Sequence, residues 1–296
     1  MPKRSRFALG LLLILLSGFQ GSAESTAPEG YLGKFIWRMN DPAFGGLSGI
    51  EVLNDGQDFV ALSDKATFIT GHIKRNADGQ VIGMIADPIQ RLLDGETGKP
   101  LIGWRTDSEG LAIDKTGHAF VSFENRPSVA QLDLATGATK DLSRHPDFAK
   151  LSRNAALEAL AIGDDQTLYT LPERPHSENV PVYRWQNGAW DKTLHLPRRG
   201  AFTAVAADIM DGKLYLLERE FRVIGGFANR LRRFDITSSG LMAEQTLFET
   251  PMGMFDNLEG LSVWRDATGA VRATMISDDN FFFLQQTQII EFRLPD

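Results

Sequence analysis

Asn257-Leu-Glu-Gly-Leu-Ser-Val-Trp264 and, after a polar gap, Ser277-Asp-Asp-Asn-Phe281 decide how the rest of the chain is read. The first is an apolar run with Glu259 near its start. The second carries Asp278 and Asp279 at the close of another run. Two such strands paired as a hairpin bring the start of one beside the end of the other, so their carboxylates meet at one end of the sheet.

The pattern recurs upstream four times. Gly46–Val52 and Phe59–Asp64 flank a turn at Asn54-Asp-Gly56, and Ser108–Asp114 and Ala119–Glu124 flank Lys115-Thr-Gly117. Leu157–Ile162 and Thr167–Leu171 flank Gly163-Asp-Asp-Gln166, and Thr203–Ile209 and Lys213–Leu217 flank Asp211-Gly212. Asn, Asp and Gly supply the turns, and β-branched and aromatic residues the strands. With Gly49, Gly110, Ala159, Ala204 and Gly260 as anchors, the repeats are spaced 61, 49, 45 and 56 residues apart. Each anchor precedes an acid by 14 to 18 residues: Asp64, Glu124, Glu173, Glu218 and Asp278. Propeller blades run roughly 40–50 residues, so these repeats predict an all-β chain forming a single β-propeller. Five or six blades, each of four short antiparallel strands, are expected; a sixth from less regular sequence or from both termini stays open. Tyr31–Met39 and Gln288–Leu294 read as further strands, Pro88–Trp104 as a long connection, and Asp147–Leu157 as a short helix.

Composition sets the class. With 43% hydrophobic and 23% charged residues, the chain is ordinary for a soluble globular protein, and the repeat makes residues 31–296 one domain. A net charge of −7 argues against a nucleic-acid surface, which needs concentrated Lys and Arg. The absence of cysteine excludes cysteine nucleophiles, thiolate metal sites and iron–sulfur clusters. Lys3, Arg4 and Arg6, the apolar run Phe7–Leu16 and Gly21-Ser-Ala23 describe a Sec-type signal peptide over residues 1–23, cleaved near Ala23. The apolar run is shorter than the ~20 residues that span a bilayer. A periplasmic or secreted protein is therefore expected, with a flexible lead at 24–30 and no membrane span after cleavage.

If the first strand of each repeat lines the central channel, Ser48, Glu109, Glu158, Thr203 and Glu259 ring one mouth beside the closing acids. Basic or amide residues follow those acids directly: Lys65, Asn125, Arg126, Arg174, Arg219, Arg222 and Asn280. Oxygen-rich clusters suit Ca²⁺ or Mg²⁺, and arginines suit phosphate or carboxylate groups. Together they fit metal-assisted hydrolysis of a phosphate ester. The structural alternative is that each Glu–Arg pair ties blades together. The densest group of oxygen ligands is Asp256, Asn257, Glu259, Asp278, Asp279 and Asn280. Ser48 lacks the spacing of a nucleophile elbow and reads as a strand-start serine. The five histidines are scattered, and only His176 falls near the acidic face. Phe281-Phe-Phe283 reads as core on a strand.

Asp107-Ser-Glu-Gly-Leu-Ala112, Ser122-Phe-Glu-Asn125, Leu157-Glu-Ala-Leu160, Asp256-Asn-Leu-Glu-Gly-Leu261 and Ser277–Phe281 with Gln286-Thr287 resemble the bacterial phytase-like family, also described as "esterase-like activity of phytase". The resemblance runs from about Gly46 to Leu294, and its C-terminal motif is the most specific part. It implies an exported propeller that hydrolyses phosphoesters or esters, with a divalent cation, Ca²⁺ by analogy with propeller phytases. Its substrate is then a small anionic or ester molecule. Carried over residue by residue, metal ligands fall among Glu109, Glu158, Glu259, Asp278 and Asp279, with Glu109, Glu259 and Asp278 in catalytic roles. Arg126, Arg174 and Arg219 become anion contacts. The sequence departs from the pattern at Ser48 and Thr203. A non-catalytic binding propeller, or one acting on carboxyl esters or lactones, is the alternative.

Overall fold

The computed structural model describes residues 27–152, 156–174 and 179–296. The expected signal peptide and His176 lie outside the described residues. Each hairpin read from the sequence forms and then gains two further strands. Blade 1 is Leu47–Leu53, Asp58–Ser63, Thr67–Arg75 and Val81–Ala86. Blade 2 is Ser108–Ile113, Ala119–Phe123, Ser128–Leu132 and Ala138–Asp141, with Leu93–Asp94 added in parallel at its outer edge. Blade 3 is Leu157–Ile162, Leu168–Pro172, Asn179–Gln186 and Ala189–Pro197. Blade 4 is Thr203–Met210, Lys213–Arg222, Gly226–Thr237 and Gly240–Glu249. Blade 5 takes Asn257–Arg265, Val271–Asp278 and Gln288–Arg293 from the C-terminus and Tyr31–Ile36 from the N-terminus.

The described residues thus form a five-bladed propeller, and the two termini close its last blade rather than build a sixth. Tyr31 pairs with Phe292 and Phe35 with Ile289 across that closure. The stretch read as a short helix is a 3₁₀ turn at Pro146–Lys150, opened by Pro146 and capped by the His145 ring. No helix among the described residues is long and apolar enough to cross a membrane.

There is no single central core. Five apolar layers lie between neighbouring blades: Phe248 stacks on Phe292 between blades 4 and 5, Trp37 meets Phe59 edge-on between blades 5 and 1, and the other three interfaces are built alike. The innermost strands are buried on both faces, so Leu47–Leu53 and Leu157–Ile162 read as nearly continuous apolar runs instead of alternating ones. Near the axis these strands approach so closely that a Cβ on Gly49, Gly110 or Gly260 would lie 2.9, 2.7 or 2.6 Å from a neighbouring atom. That is why the anchor position holds Gly or Ala. The space left among these residues is about 10 Å³, a constriction above which the mouth opens as a cup.

Polar side chains join the inner strands where backbone ladders do not. Ser48 Oγ donates to Ser108 O at 2.9 Å, Ser108 Oγ to Ser63 O at 2.6 Å, and Ser122 Oγ to Leu157 O at 2.7 Å. Deeper in the channel, Glu51 accepts from Ile113 N of blade 2 and Ser262 Oγ of blade 5, and Asp208 accepts from Val263 N. Burial raises both carboxyl groups, Asp208 to about 7, and the Asp208 charge raises Glu51 further.

Strand register corrects one part of the sequence reading. Leu47–Ser63, Leu157–Pro172 and Leu258–Ser277 are paired, and the bulge that follows each pair takes in Ser48, Glu158 and Glu259. In blade 4 the corresponding pair is Ala204–Glu218, which puts the bulge at Val205 and the anchor at Ala206, not Ala204. The closing position there is consequently Arg219. Glu218 faces away from the mouth and is buried with Arg230 Nε at 2.7 Å and with Arg232, whose Nε and Nη2 lie 2.8 and 2.5 Å away. Arg232 is fully buried and also donates to Glu244 at 2.8 Å. Glu218→Gln is expected to destabilise the fold by ~3–5 kcal/mol, because it leaves buried guanidinium charge uncompensated. Denaturant unfolding would show this, with cation binding at the mouth unchanged in the folded fraction.

Candidate functional site

The bulges turn three inner-strand glutamates into the cup, where the ends of the second strands add their acids. Asp64, Glu124 and Glu173 are held there by backbone bonds from their own N–H groups to Gly46 O, Asp107 O and Ala156 O at 2.8, 3.0 and 3.0 Å. On the side of blades 2 and 3 the result is a carboxylate cluster. Oxygens of Asp107, Glu109 and Glu124 lie within 4.8 Å of one another. Glu124 shares a hydrogen bond with Glu158 of the next blade, and Asp107 accepts from Asn125 Nδ2 at 2.6 Å. Among the described residues, the cations at the mouth pair elsewhere: Lys65 with Asp64 at 2.5 Å, and Arg219 with Glu173 and Glu259.

The electrostatic consequence is uniform. Burial, then the charges of Glu158, Glu259, Glu124 and Asp107, push Glu109 well above the ordinary carboxyl range. Burial followed by Glu124, Glu259 and Glu173 does the same to Glu158. Burial raises Glu124 to about 7. Asp278 reaches about 8 through burial and then the Glu259 charge. Without a cation, burial and mutual repulsion favour the protonated form of each of these groups.

The opposite side is arranged differently. Burial disfavours the charge on Arg219, but Glu259 and Glu173 outweigh this and hold its pKa above the usual value. Its Nη1 bonds Glu259 and Asn257, and Asn257 Nδ2 bonds Glu259 at 2.8 Å. Beside it opens a basin of about 490 Å³ lined by Glu173, Arg174, Arg198, Phe221 and Phe227. The cup therefore has an acidic wall and an arginine-bearing wall.

The residues singled out in the sequence do not all meet at one place. Glu109, Glu158, Glu259 and Asp278 interact within the mouth, and Arg219 bridges Glu173 to Glu259. Arg174 is exposed at the basin and pairs with Glu173 at 3.2 Å. Arg126 stacks on Trp104 with its guanidinium 4.6 Å from the ring. The Asp279 carboxylate is occupied by local bonds from Gly46 N, Phe281 N and Thr287 Oγ1 at 3.0, 3.1 and 3.3 Å. Phe281, Phe282 and Phe283 belong to no core strand: they sit in the loop after Asp278, 47, 46 and 85% exposed. Asp107 and Arg198 had no part in the sequence reading of the site. Asp107 had a signal, since the residue before a repeat's first strand lies opposite that repeat's closing acid. Arg198 had none.

Residues 42–281 match the profile described as "Phytase-like: Esterase-like activity of phytase". The chain belongs to the phytase-like family. No curated protein matches it. Among solved structures, an exo-β-1,3-galactanase from Phanerochaete chrysosporium is similar over 87% of this chain and 64% of that one, at 12% identity and a TM-score of 0.54. The catalytic domain of a Coprinopsis cinerea GH62 α-L-arabinofuranosidase is similar over 89% and 96%, at 14% identity and a TM-score of 0.51. These likenesses concern the propeller fold. This phytase-like protein shares with them an architecture.

The raised carboxyl groups set a pH dependence with a definite sign. Protons held by the folded state stabilise it fully below the unfolded pKa, near 4.5 for Glu124 and 3.8 for Asp278. That stabilisation is lost as pH rises through about 7 and about 8 respectively. In chelator, the difference in melting temperature, Glu124→Gln minus wild type, is expected to increase between about pH 5 and 8, as scanning calorimetry would show.

Proposed function

We propose that this phytase-like propeller is an exported, metal-assisted hydrolase of phosphate esters acting in the cup. The carrying observation is the set of carboxylate oxygens on Asp107, Glu109 and Glu124, mutually within 4.8 Å and lacking an ion-pair partner among the described residues. Oxygens bound to one Ca²⁺ at about 2.3–2.6 Å are at most about 5 Å apart, so the spacing fits that ion. The donors are all hard oxygens, which favours Ca²⁺ or Mg²⁺ over thiophilic metals.

Asp107, Glu109 and Glu124 would hold the cation, with Glu158 alongside. When bound, it supplies charge for the ester phosphate and acidifies a water ligand. Binding requires these carboxyl groups to lose the protons that their crowding otherwise retains. Once cation binding has released the proton that Glu158 shares with Glu124, Glu158 would be free to accept a proton from the attacking water. Arg174 and Arg198 on the far wall offer donors to the anionic group, which an acidic cup alone would repel. Arg219 is spent on Glu173 and Glu259 and acts by positioning Glu259. Glu259 and Asp279, engaged by Arg219 and by the Asp279–Thr287 loop, are therefore placed outside the cation shell, and Asp278 beside it. The basic N-terminus and its short apolar run support export.

Chelator-treated protein titrated with Ca²⁺ in a calorimeter is expected to bind saturably and to release protons at pH 7. Glu109→Gln is expected to lower both affinity and turnover of p-nitrophenyl phosphate at least about tenfold. Absence of saturable binding would leave the carboxylates as a protonated structural ring and overturn the reading. Binding with turnover of p-nitrophenyl acetate alone would move the reaction to carboxyl esters.

A further inference from the structure

Beside the acidic wall, between blades 1 and 2, lies a cavity of about 400 Å³ that the chemistry above does not use. Leu92, Leu101, Pro42 and Ala43 give it apolar surfaces, Lys65 and Arg91 give it cationic ones, and the Phe281 ring forms one wall. Thr106 also lines it, so it adjoins Asp107, whose carboxylate feels the Lys65 charge.

The Phe281 wall is built, and its construction accounts for the C-terminal motif. Asn280 and Phe281 both adopt positive φ, 48° each, an unfavourable conformation for a bulky residue. Asp279 holds it: its Oδ1 accepts from Phe281 N and from Gly46 N of blade 1, which ties the loop to the far side of the blade 5–blade 1 junction. The ring then lies against Gly45 and Gly46, where added Cβ atoms would approach it to 3.0 and 2.7 Å. Lys65 Nζ sits 5.5 Å from the ring centroid. A half-exposed phenylalanine fixed by backbone strain, a carboxylate and two glycines is a costly feature for a solvent-facing loop, and its inner edge faces the cavity.

We infer that this cavity is the subsite for an apolar organic group, an aryl or short acyl moiety, carried by an anionic substrate. The inference rests on the hydrolase reading for its place in catalysis, and it narrows the substrate class. The ester would carry a ring or chain beside one anionic group, rather than a polyol bearing many phosphates. The apolar walls take the ring. Arg91 at the lining favours an adjacent negative charge, Lys65 being already paired with Asp64, and the orientation leads that charge toward the cation beside Asp107.

The subsite can be tested without metal or turnover, using 1-naphthalenesulfonate as an apolar anion that cannot be hydrolysed. Chelator-treated mature protein is expected to bind it 1:1, followed by calorimetry, with methanesulfonate failing to compete. Phe281→Ala, which removes a wall, and Ala43→Glu, which places a carboxylate at the exposed lip, are each expected to weaken it about tenfold or more. A cooperative thermal melt like that of wild type shows that both variants fold, Ca²⁺ affinity should stay as in wild type in both, and Glu109→Gln should leave the sulfonate affinity within about twofold. No saturable binding, or binding that neither variant weakens, would overturn the subsite. If the sulfonate binds as expected while Ca²⁺ does not, the hydrolase reading falls and the apolar-anion site stands.

Discussion

The structure depends on how closely five inner strands approach one axis. Each is buried on both faces, and at Gly49, Gly110 and Gly260 there is no room even for a Cβ. Just before that level all five strands shift register, and in three of them the bulge turns a glutamate toward the mouth: Glu109, Glu158 and Glu259. Close packing therefore does two things at once. It leaves only about 10 Å³ of space between the inner strands, and it lifts polar side chains into the mouth above.

Filling that cup with carboxylates has an electrostatic cost that the protein meets unequally. On the side of blades 4 and 5, Arg219 occupies the position that acids hold elsewhere and pairs with Glu173 and Glu259. On the side of blades 2 and 3, Asp107, Glu109, Glu124 and Glu158 have no such partner among the described residues, and their proton affinities rise in response. Structural ion pairing accounts well for the first half, and for Glu218 with Arg230 and Arg232. It does not account for the second, where buried like charges need either protons or a cation.

The loop after Asp278 links the two themes. Its acids looked like ligands in the sequence because they stand beside Asp278. In three dimensions Asp278 faces the mouth, whereas Asp279 turns to the backbone of Gly46 and fixes Phe281 against blade 1. One short motif thus supplies an acid to the cup and a wall to the cavity beside it.

Much of the architecture was legible in the sequence. Turn residues between apolar runs, recurring with small anchors and closing acids, specify five hairpins, and a repeated hairpin that cannot bury its faces alone specifies a ring of blades. The crowding of acids at one mouth followed from the same repeats, since hairpin geometry is local. Three things were not local. The fifth blade takes its outer strand from Tyr31–Ile36, a pairing with Gln288–Arg293 that no nearby signal announces. In blade 4 a bulge at Val205 shifts which side chains face the axis, so Glu218 and Arg219 exchange the places their resemblance to Glu173 and Arg174 suggested. Phe281, apolar and beside a strand, read as core but closes a surface cavity. Turn propensity and alternation are properties of a few consecutive residues, and the sequence by itself determined hairpins, repeats and the acidic character of the mouth. Register across a bulge, blade closure and the partner of each charge depend on residues far apart in the chain, and those only the tertiary structure decided.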